Sequence, residues 1–240
     1  EEKKEKNEYT FDDWYSKFLN LKNDKNHVNK ALYFLEKALK NANTNEEKAK
    51  VIFDKALFYG NNISKEESII IYDELIEKFN SSSEQKVLEL ISASLYNKGN
   101  EYGSLKEYKK SLIAYNELIE KFQNSQNKYI LSTVLSGLIN KLEINLFQNI
   151  ENDKNDMNLF SKLIINDNSK LQHIEMLNII KKGITQDVDD EIEIWKSKYD
   201  EVLKGWSFIE LKTWVQTLEK DAKERVLRYI EIFENHNKNI

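Results

Sequence analysis

The chain has 240 residues with no proline, no cysteine and only 6 glycines, and its 36 basic and 41 acidic side chains give a formal net charge of −5. Average usage would place proline at about 5% and glycine at about 7% of positions. Because both residues disfavour helix interiors, their depletion predicts an all-α chain and argues against sheet folds, whose turns need them. Without cysteine, disulfides and thiolate metal sites are excluded. The acidic balance, with only two arginines, argues against nucleic-acid binding.

The N-terminal segment 1–9 is dominated by Glu, Lys and Asn, and we expect it to be disordered. Because residue 1 is glutamate, we expect the sequence to be processed or cut from something longer. The longest apolar runs, such as Ile69–Tyr72, are far shorter than the roughly 18 residues that cross a bilayer, so no membrane span is predicted. We expect a soluble, cytoplasmic chain, with a periplasmic or lipid-anchored envelope protein as the open alternative.

An internal repeat organises the next part of the chain. The segment Ser68–Phe79 (SIIIYDELIEKF) recurs as Ser111–Phe122 (SLIAYNELIEKF), with nine identities in twelve positions at a shift of 43 residues. The same shift relates Leu95, Gly99 and Tyr102 to Ile52, Ala56 and Tyr59. The repeat therefore covers two helices.

Apolar spacing indicates that each repeat is a helical hairpin. Leu95, Gly99 and Tyr102 are four and three residues apart and share one helix face. In the second helix, Tyr115 and Leu118 continue the same period. The small residue at Gly99 or Ala56 and the serine at Ser111 or Ser68 are expected where the paired helices approach most closely.

This pattern resembles the tetratricopeptide repeat (TPR) family. In the copy at 92–125 the signature positions are Leu95, Gly99, Tyr102, Ser111, Tyr115 and Leu118; in the copy at 49–82 they are Ile52, Ala56, Tyr59, Ser68, Tyr72 and Leu75. A weaker copy covers 12–45, and a degenerate fourth covers about 135–150. The family's terminal proline is replaced by Asn80 and Gln123, and the period is 43 rather than about 34. The sequence thus looks like a bacterial long-period variant. The resemblance implies an α-solenoid of hairpins over residues 10–150, with the extra residues lengthening the helices.

Beyond residue 150 the repeat pattern fades, and residues 151–240 are predicted to be a degenerate all-helical extension continuous with the array. Thr185 and the acids after it predict a helix start. Ser207 with Glu210 forms a capping-box pattern. The apolar spacing that follows, from Leu211 to Phe233, predicts one terminal helix that covers the last apolar face of the array.

No residue pattern indicates catalysis, a metal or a cofactor. His27, His173 and His236 lie in different segments without a second ligand at metal-binding spacing, and we interpret them as surface or cap residues. The acids Asp187–Glu193 lack the spacing of a calcium loop and suit a helix start. The chain is therefore predicted not to be an enzyme.

The resemblance implies a recognition groove, because the first helices of TPR hairpins line a concave surface. By register, the groove positions are Phe53, Leu57, Tyr96, Asn97, Asn100, Ile139, Asn140 and Glu143. The family's clamp for a terminal carboxylate is absent, since Ser16 and Asp54 stand where lysine and asparagine are expected. Aromatic and apolar groups with asparagines favour an extended or helical peptide. Packing of the same side chains between neighbouring first helices is the alternative.

Three tryptophans are concentrated towards the C-terminus, namely Trp195, Trp206 and Trp214. We expect a chain reversal at Gly205 to bring the rings together as a packed plug. A second partner-binding patch is the alternative interpretation.

These features together predict a non-catalytic scaffold or adaptor that binds a protein or peptide. The alternative is a ligand- or peptide-responsive regulatory module of a larger signalling or defence protein. No nucleic acid, membrane span or cofactor is expected, and homo-oligomers through the terminal helices are possible.

Overall fold

The computed structural model describes residues 9–148, 150, 153–163, 168–199 and 208–238. Within these ranges the chain forms twelve α-helices and no strand, so the all-α prediction is confirmed. The helices are α1 Phe11–Leu21, α2 Val28–Asn41, α3 Asn45–Asn62, α4 Lys65–Phe79, α5 Gln85–Ser104, α6 Tyr108–Phe122, α7 Lys128–Phe147, α8 Lys154–Leu163, α9 Asn168–Gly183, α10 Asp189–Lys198, α11 Ile209–Val215 and α12 Lys220–Lys238. A short 3-10 turn, Lys25–His27, precedes α2.

The chain divides into two compact units, residues 1–141 and 142–240, with the division inside α7. The predicted fourth repeat copy, at 135–150, straddles this division. The two units are described separately below.

Side-chain caps define where the first helices begin. The Thr10 hydroxyl accepts a hydrogen bond from the Asp13 backbone, and the Asp13 carboxylate accepts one from the Thr10 backbone. Thr44 and Glu47 form the same capping box at the start of α3. Such boxes satisfy backbone N–H groups that have no partner inside the helix.

In the first unit, consecutive helices pack as pairs, α1 with α2, α3 with α4 and α5 with α6. Successive pairs are joined through α2 with α3 and α4 with α5, and the two first helices α3 and α5 also contact each other. The bounds of α4 and α6 are related by 43 residues at both ends, as are those of α5 and α7. The sequence period is therefore also the spacing of these helices.

The predicted close approach is present at equivalent positions in two pairs, α3 with α4 and α5 with α6. Ser68 Oγ donates a hydrogen bond to the Ala56 carbonyl oxygen at 2.8 Å, and Ser111 Oγ donates to the Gly99 carbonyl oxygen at 2.7 Å. A Cβ atom on Gly99 would lie 2.4 Å from Cε1 of Tyr115. Only a glycine lets the α5 backbone lie this near the tyrosine ring.

Helix α7 is the one helix among the described residues that is long and apolar enough to cross a membrane, with a mean hydropathy of 1.2 over an 18-residue window. In this structure 56% of that window is buried, and Ile130, Val134 and Leu138 are almost fully enclosed. A Cβ on Gly137 would lie 2.7 Å from Cδ2 of Leu118, which shows how closely α7 packs on α6. Core helices of soluble proteins share these properties, so α7 by itself does not indicate a membrane span.

The second unit has its own apolar core, in which α9 packs against α10 and α12, and α11 packs against α12. Its buried side chains include Met176, Ile180, Ile192, Trp195, Leu211, Val215, Val226, Tyr229, Ile230 and Phe233.

One predicted element of the second unit is wrong. The apolar spacing from Leu211 to Phe233 predicted a single terminal helix, but α11 ends at Val215 and α12 begins at Lys220. Tight-turn hydrogen bonds end α11, from Thr217 N to Trp214 O at 2.9 Å and from Leu218 N to Val215 O at 3.1 Å. The Thr217 hydroxyl also donates to the Trp214 carbonyl at 2.7 Å.

Of the two predicted helix starts in this unit, one lies outside the described residues and the other is displaced along the chain. Ser207, the cap predicted for α11, lies outside the described residues, and Phe208 occupies the cap position of that helix without a side-chain hydrogen bond. The start predicted at Thr185 is displaced, because α10 begins at Asp189. Acidic residues do occupy its first turn, as the helix dipole favours.

Candidate binding groove and adjoining cleft

The predicted groove residues lie on α3, α5 and α7 and form three sets of sequence positions, which we call columns. Each column steps by 43 residues, as the bounds of α5 and α7 do. The first column is Phe53, Tyr96 and Ile139; the second is Asp54, Asn97 and Asn140; the third is Leu57, Asn100 and Glu143.

The two aromatic residues of the first column are half-buried and rest on the repeated tyrosines of the second helices. The Phe53 ring centroid lies 6.0 Å from that of Tyr72, and the Tyr96 centroid lies 6.3 Å from that of Tyr115. Each ring therefore packs with one part of its surface and leaves another part accessible. Ile139, at the third position, is only 7% exposed and has little area to offer a partner.

The asparagines at Asn100 and Asn140 hydrogen-bond to each other and to a tyrosine. Asn140 Nδ2 donates to Asn100 Oδ1 at 2.8 Å and to the Tyr115 hydroxyl at 3.1 Å. The Tyr115 hydroxyl donates to Asn100 Oδ1 at 2.6 Å. The structure thus brings these predicted residues together, but the network joins α5, α6 and α7 and uses polar atoms that were expected to bind a peptide backbone.

Asp54 is the one charged member of its column. The Tyr15 hydroxyl donates a hydrogen bond to its carboxylate, and the Lys50 ammonium lies 4.4 Å from the centroid of the Tyr15 ring. Burial raises the pKa of Asp54, outweighing the hydrogen bond from Tyr15 and the attraction of Lys22 and Lys50, which lower it.

An open cleft of about 310 Å³ lies beside Asp54. It is formed by the end of α1, the connection that follows it and the second half of α3. Its lining residues are Phe18, Lys22, Asn23, Lys25, Asp54, Leu57, Phe58, Asn61 and Asn62. The sequence did not predict this cleft, because Lys22 and Lys25 lie 32 and 29 residues before Asp54 and only tertiary packing brings them to the same cleft.

Glu143 lies in the second unit, where its side chain contacts His173. Its carboxylate is 2.9 Å from His173 Nε2, with side-chain exposures of 19% and 14% for the two residues. The interpretation of His173 as a surface or cap residue is therefore wrong, because its ring is largely enclosed.

The tryptophans of the predicted C-terminal patch have different surroundings. Trp195 is 2% exposed, donates from Nε1 to the Gln172 carbonyl at 3.1 Å and packs edge-on against Phe233 at 4.9 Å. Trp214 is half-buried against the same core and donates to the Phe147 carbonyl at 3.2 Å. Trp206 and the predicted reversal at Gly205 lie outside the described residues. Both described indoles are satisfied by backbone carbonyls, as core packing requires.

Across the described ranges, no group of three or more His, Asp or Glu side chains is arranged to hold a metal ion.

The structure defines this chain as an all-α protein whose first unit is a succession of packed helix pairs, with a shift of 43 residues between α4 and α6 and between α5 and α7. Comparisons with protein-family models, with curated proteins and with solved structures found no significant match.

Proposed function

We propose that this chain is a non-catalytic scaffold or adaptor, a TPR-like α-solenoid that binds a protein or peptide in a concave groove along its first helices. The observation that carries the proposal is the pairing of Phe53 and Tyr96. They occupy equivalent positions on α3 and α5, which contact each other, and both rings are partly accessible. Aromatic side chains anchored at one end and accessible at the other are frequent hot spots of binding.

The repeated hairpin contacts support the solenoid part of the proposal. The hydrogen bond from the second-helix serine to the first-helix carbonyl occurs in both clear copies, at Ser68 and at Ser111. Equivalent internal contacts in successive units are the basis of repeat architectures, in which each unit packs on its neighbours.

The proposal is tested by affinity capture with the full chain as bait in an extract of the source cell, followed by mass spectrometry. The double variant Phe53→Ala, Tyr96→Ala is expected to lose the captured partner, because truncation of hot-spot aromatics typically costs about 2 kcal/mol or more each. Circular dichroism and thermal melting of the variant show whether its helices are retained.

The repeat offers a matched control. Ile70 and Ile113 are also equivalent positions, on the second helices α4 and α6, and they are 66% and 64% exposed. The variant Ile70→Ala, Ile113→Ala is expected to retain the partner. Retention by both double variants, or loss of cooperative melting in the Phe53–Tyr96 variant, would contradict the groove assignment.

A ligand-responsive regulatory module is the second candidate. The cleft beside Asp54 favours it, since it combines charged, amide and apolar groups at one end of the first unit. A natural reading frame that continues into an effector or DNA-binding domain would support this candidate over an independent adaptor.

A further inference from the structure

The cleft between the end of α1 and α3 presents three kinds of chemistry within a small volume. Lys22 and Lys25 supply positive charge, Asp54 supplies negative charge, and Leu57 provides apolar surface above the buried rings of Phe18 and Phe58. Its volume of about 310 Å³ lies at the lower end of the roughly 300–1,000 Å³ common for small-molecule sites.

The Asp54 carboxylate is only partly satisfied. It accepts the hydrogen bond from the Tyr15 hydroxyl, and no other hydrogen bond or ion pair reaches it from the described residues. A half-buried carboxylate that forms no ion pair is costly, and burial raises the pKa of Asp54 in spite of the attraction of Lys22 and Lys50. An ammonium group entering the cleft would offset that cost.

The two lysines of the cleft, Lys22 and Lys25, lack an anionic partner among the described residues. Within the described part of the chain neither Lys22 nor Lys25 forms an ion pair, and both are exposed at the cleft. A ligand carrying only positive charge would be repelled by them, and one carrying only negative charge would be repelled by Asp54. Both charges are accommodated by a small zwitterion.

We propose that this cleft binds a free α-amino acid with an apolar side chain, with its ammonium group at Asp54 and its carboxylate at Lys22 and Lys25. The side chain of the ligand lies against Leu57, and the amides of Asn23 and Asn61 line the cleft beside it. This assignment does not rest on the peptide groove, because it needs no partner protein.

Titration calorimetry of the full chain tests the assignment, with L-leucine, L-methionine and L-phenylalanine as probes. At least one of them is expected to bind saturably with one site per chain. Its N-acetyl derivative, which lacks the ammonium group, and its amide, which lacks the carboxylate, are each expected to bind at least tenfold more weakly. Absence of binding by all three amino acids would overturn the proposal. Equal affinity for the N-acetyl derivative would also overturn it and indicate a peptide carboxyl terminus instead.

Two variants test the named groups. Asp54→Asn keeps an oxygen that can accept the Tyr15 hydrogen bond while removing the charge, and Lys22→Gln with Lys25→Gln changes only exposed side chains. Each is expected to weaken binding at least tenfold. Asp12→Asn with Lys40→Gln, exposed residues outside the cleft, is the matched control and should bind as the unaltered chain does. Unchanged affinity in the lysine variant would disprove the assignment even if Asp54→Asn failed to fold.

Discussion

At the scale of single residues, the glycines of α5 differ in what surrounds them. Gly99 has no room for a side chain, because a Cβ would lie 2.4 Å from the Tyr115 ring. Gly103, one turn further along the same helix, has only Ser111 Oγ at 3.6 Å from the equivalent position, which is ordinary contact. The same residue type therefore has a packing role at one site and none at the other.

The paired variants Gly99→Ala and Gly103→Ala separate these cases. Gly99→Ala is expected to lower the free energy of unfolding by about 1–3 kcal/mol, because the added methyl group forces the Tyr115 ring or the helices apart. Gly103→Ala is expected to raise it by up to about 1 kcal/mol through helix propensity. Urea denaturation followed by circular dichroism measures both values. Equal stability of the two variants would contradict the close approach of α5 to Tyr115.

For single residues, the sequence predicted a contact correctly where both residues are positions of the repeat. Gly99 and Ser111 were expected at the close approach of two helices, and the hydrogen bond between Ser111 and the Gly99 carbonyl lies there. The interpretation failed for His173, because its ring is largely enclosed and contacts Glu143, 30 residues away on another helix. A lone histidine in a sequence carries no signal of such a partner.

At the scale of helices, the two arginines of the chain both lie on α12 but bind different kinds of partner. Arg225 donates from Nε to the Gly183 carbonyl at 2.7 Å and from Nη2 to the Ile184 carbonyl at 2.6 Å. These carbonyls lie at the end of α9, where the helix dipole is negative and helix partners are lacking. Arg228 instead pairs with Asp189 and Asp187 at the surface, with half of its side chain exposed.

Substitution of each arginine by lysine tests this contrast. Arg225→Lys is expected to cost about 1.5–3 kcal/mol of stability, because lysine cannot reproduce the two-pronged contact of the guanidinium group with two carbonyls. Arg228→Lys is expected to cost less than about 1 kcal/mol, since it alters an exposed ion pair. Urea denaturation is again the measurement, and a larger loss in Arg228→Lys than in Arg225→Lys would disprove the assigned role at the α9 end.

Apolar spacing predicted that this region is helical, but it did not predict that α11 ends at Val215. The break between α11 and α12 falls at Gln216–Glu219, which contains neither glycine nor proline. Because the buried residues Leu211, Val215, Val226 and Tyr229 stay in a helical spacing across it, periodicity gives no sign of the interruption. At the end of α11 the Trp214 carbonyl instead accepts hydrogen bonds from the backbone N–H and the hydroxyl of Thr217.

At the scale of the molecule, the chain consists of two compact units, 1–141 and 142–240. The sequence offered no linker to mark this division, since it lies inside the continuous helix α7. The first unit has its own buried residues in each helix pair, including Leu35, Tyr72 and Tyr115. A unit with a complete core is expected to fold without the rest of the chain.

A truncated chain ending at Lys141 tests that expectation. It is expected to keep the far-UV helical signal of α1–α6 and the first part of α7 and to melt cooperatively, because the buried side chains of α1–α6 have their partners within it. Circular dichroism with thermal melting is the measurement, and Leu118→Ala in the same truncated chain is the control for a damaged core. A truncated chain that melts without a cooperative transition would show that the first unit depends on residues beyond 141.

The sequence by itself determined the all-α class and the 43-residue hairpin period. Both follow from local properties, namely the depletion of proline and glycine and the spacing of apolar and small residues along each helix. Only the tertiary structure decided how the polar groups are used. It joined Asn100 and Asn140 into a network on Tyr115, and it placed Lys22 and Lys25 beside Asp54 to form the cleft. These contacts join residues far apart in the chain, and the packing of helices sets them, so no local pattern of residues contains them.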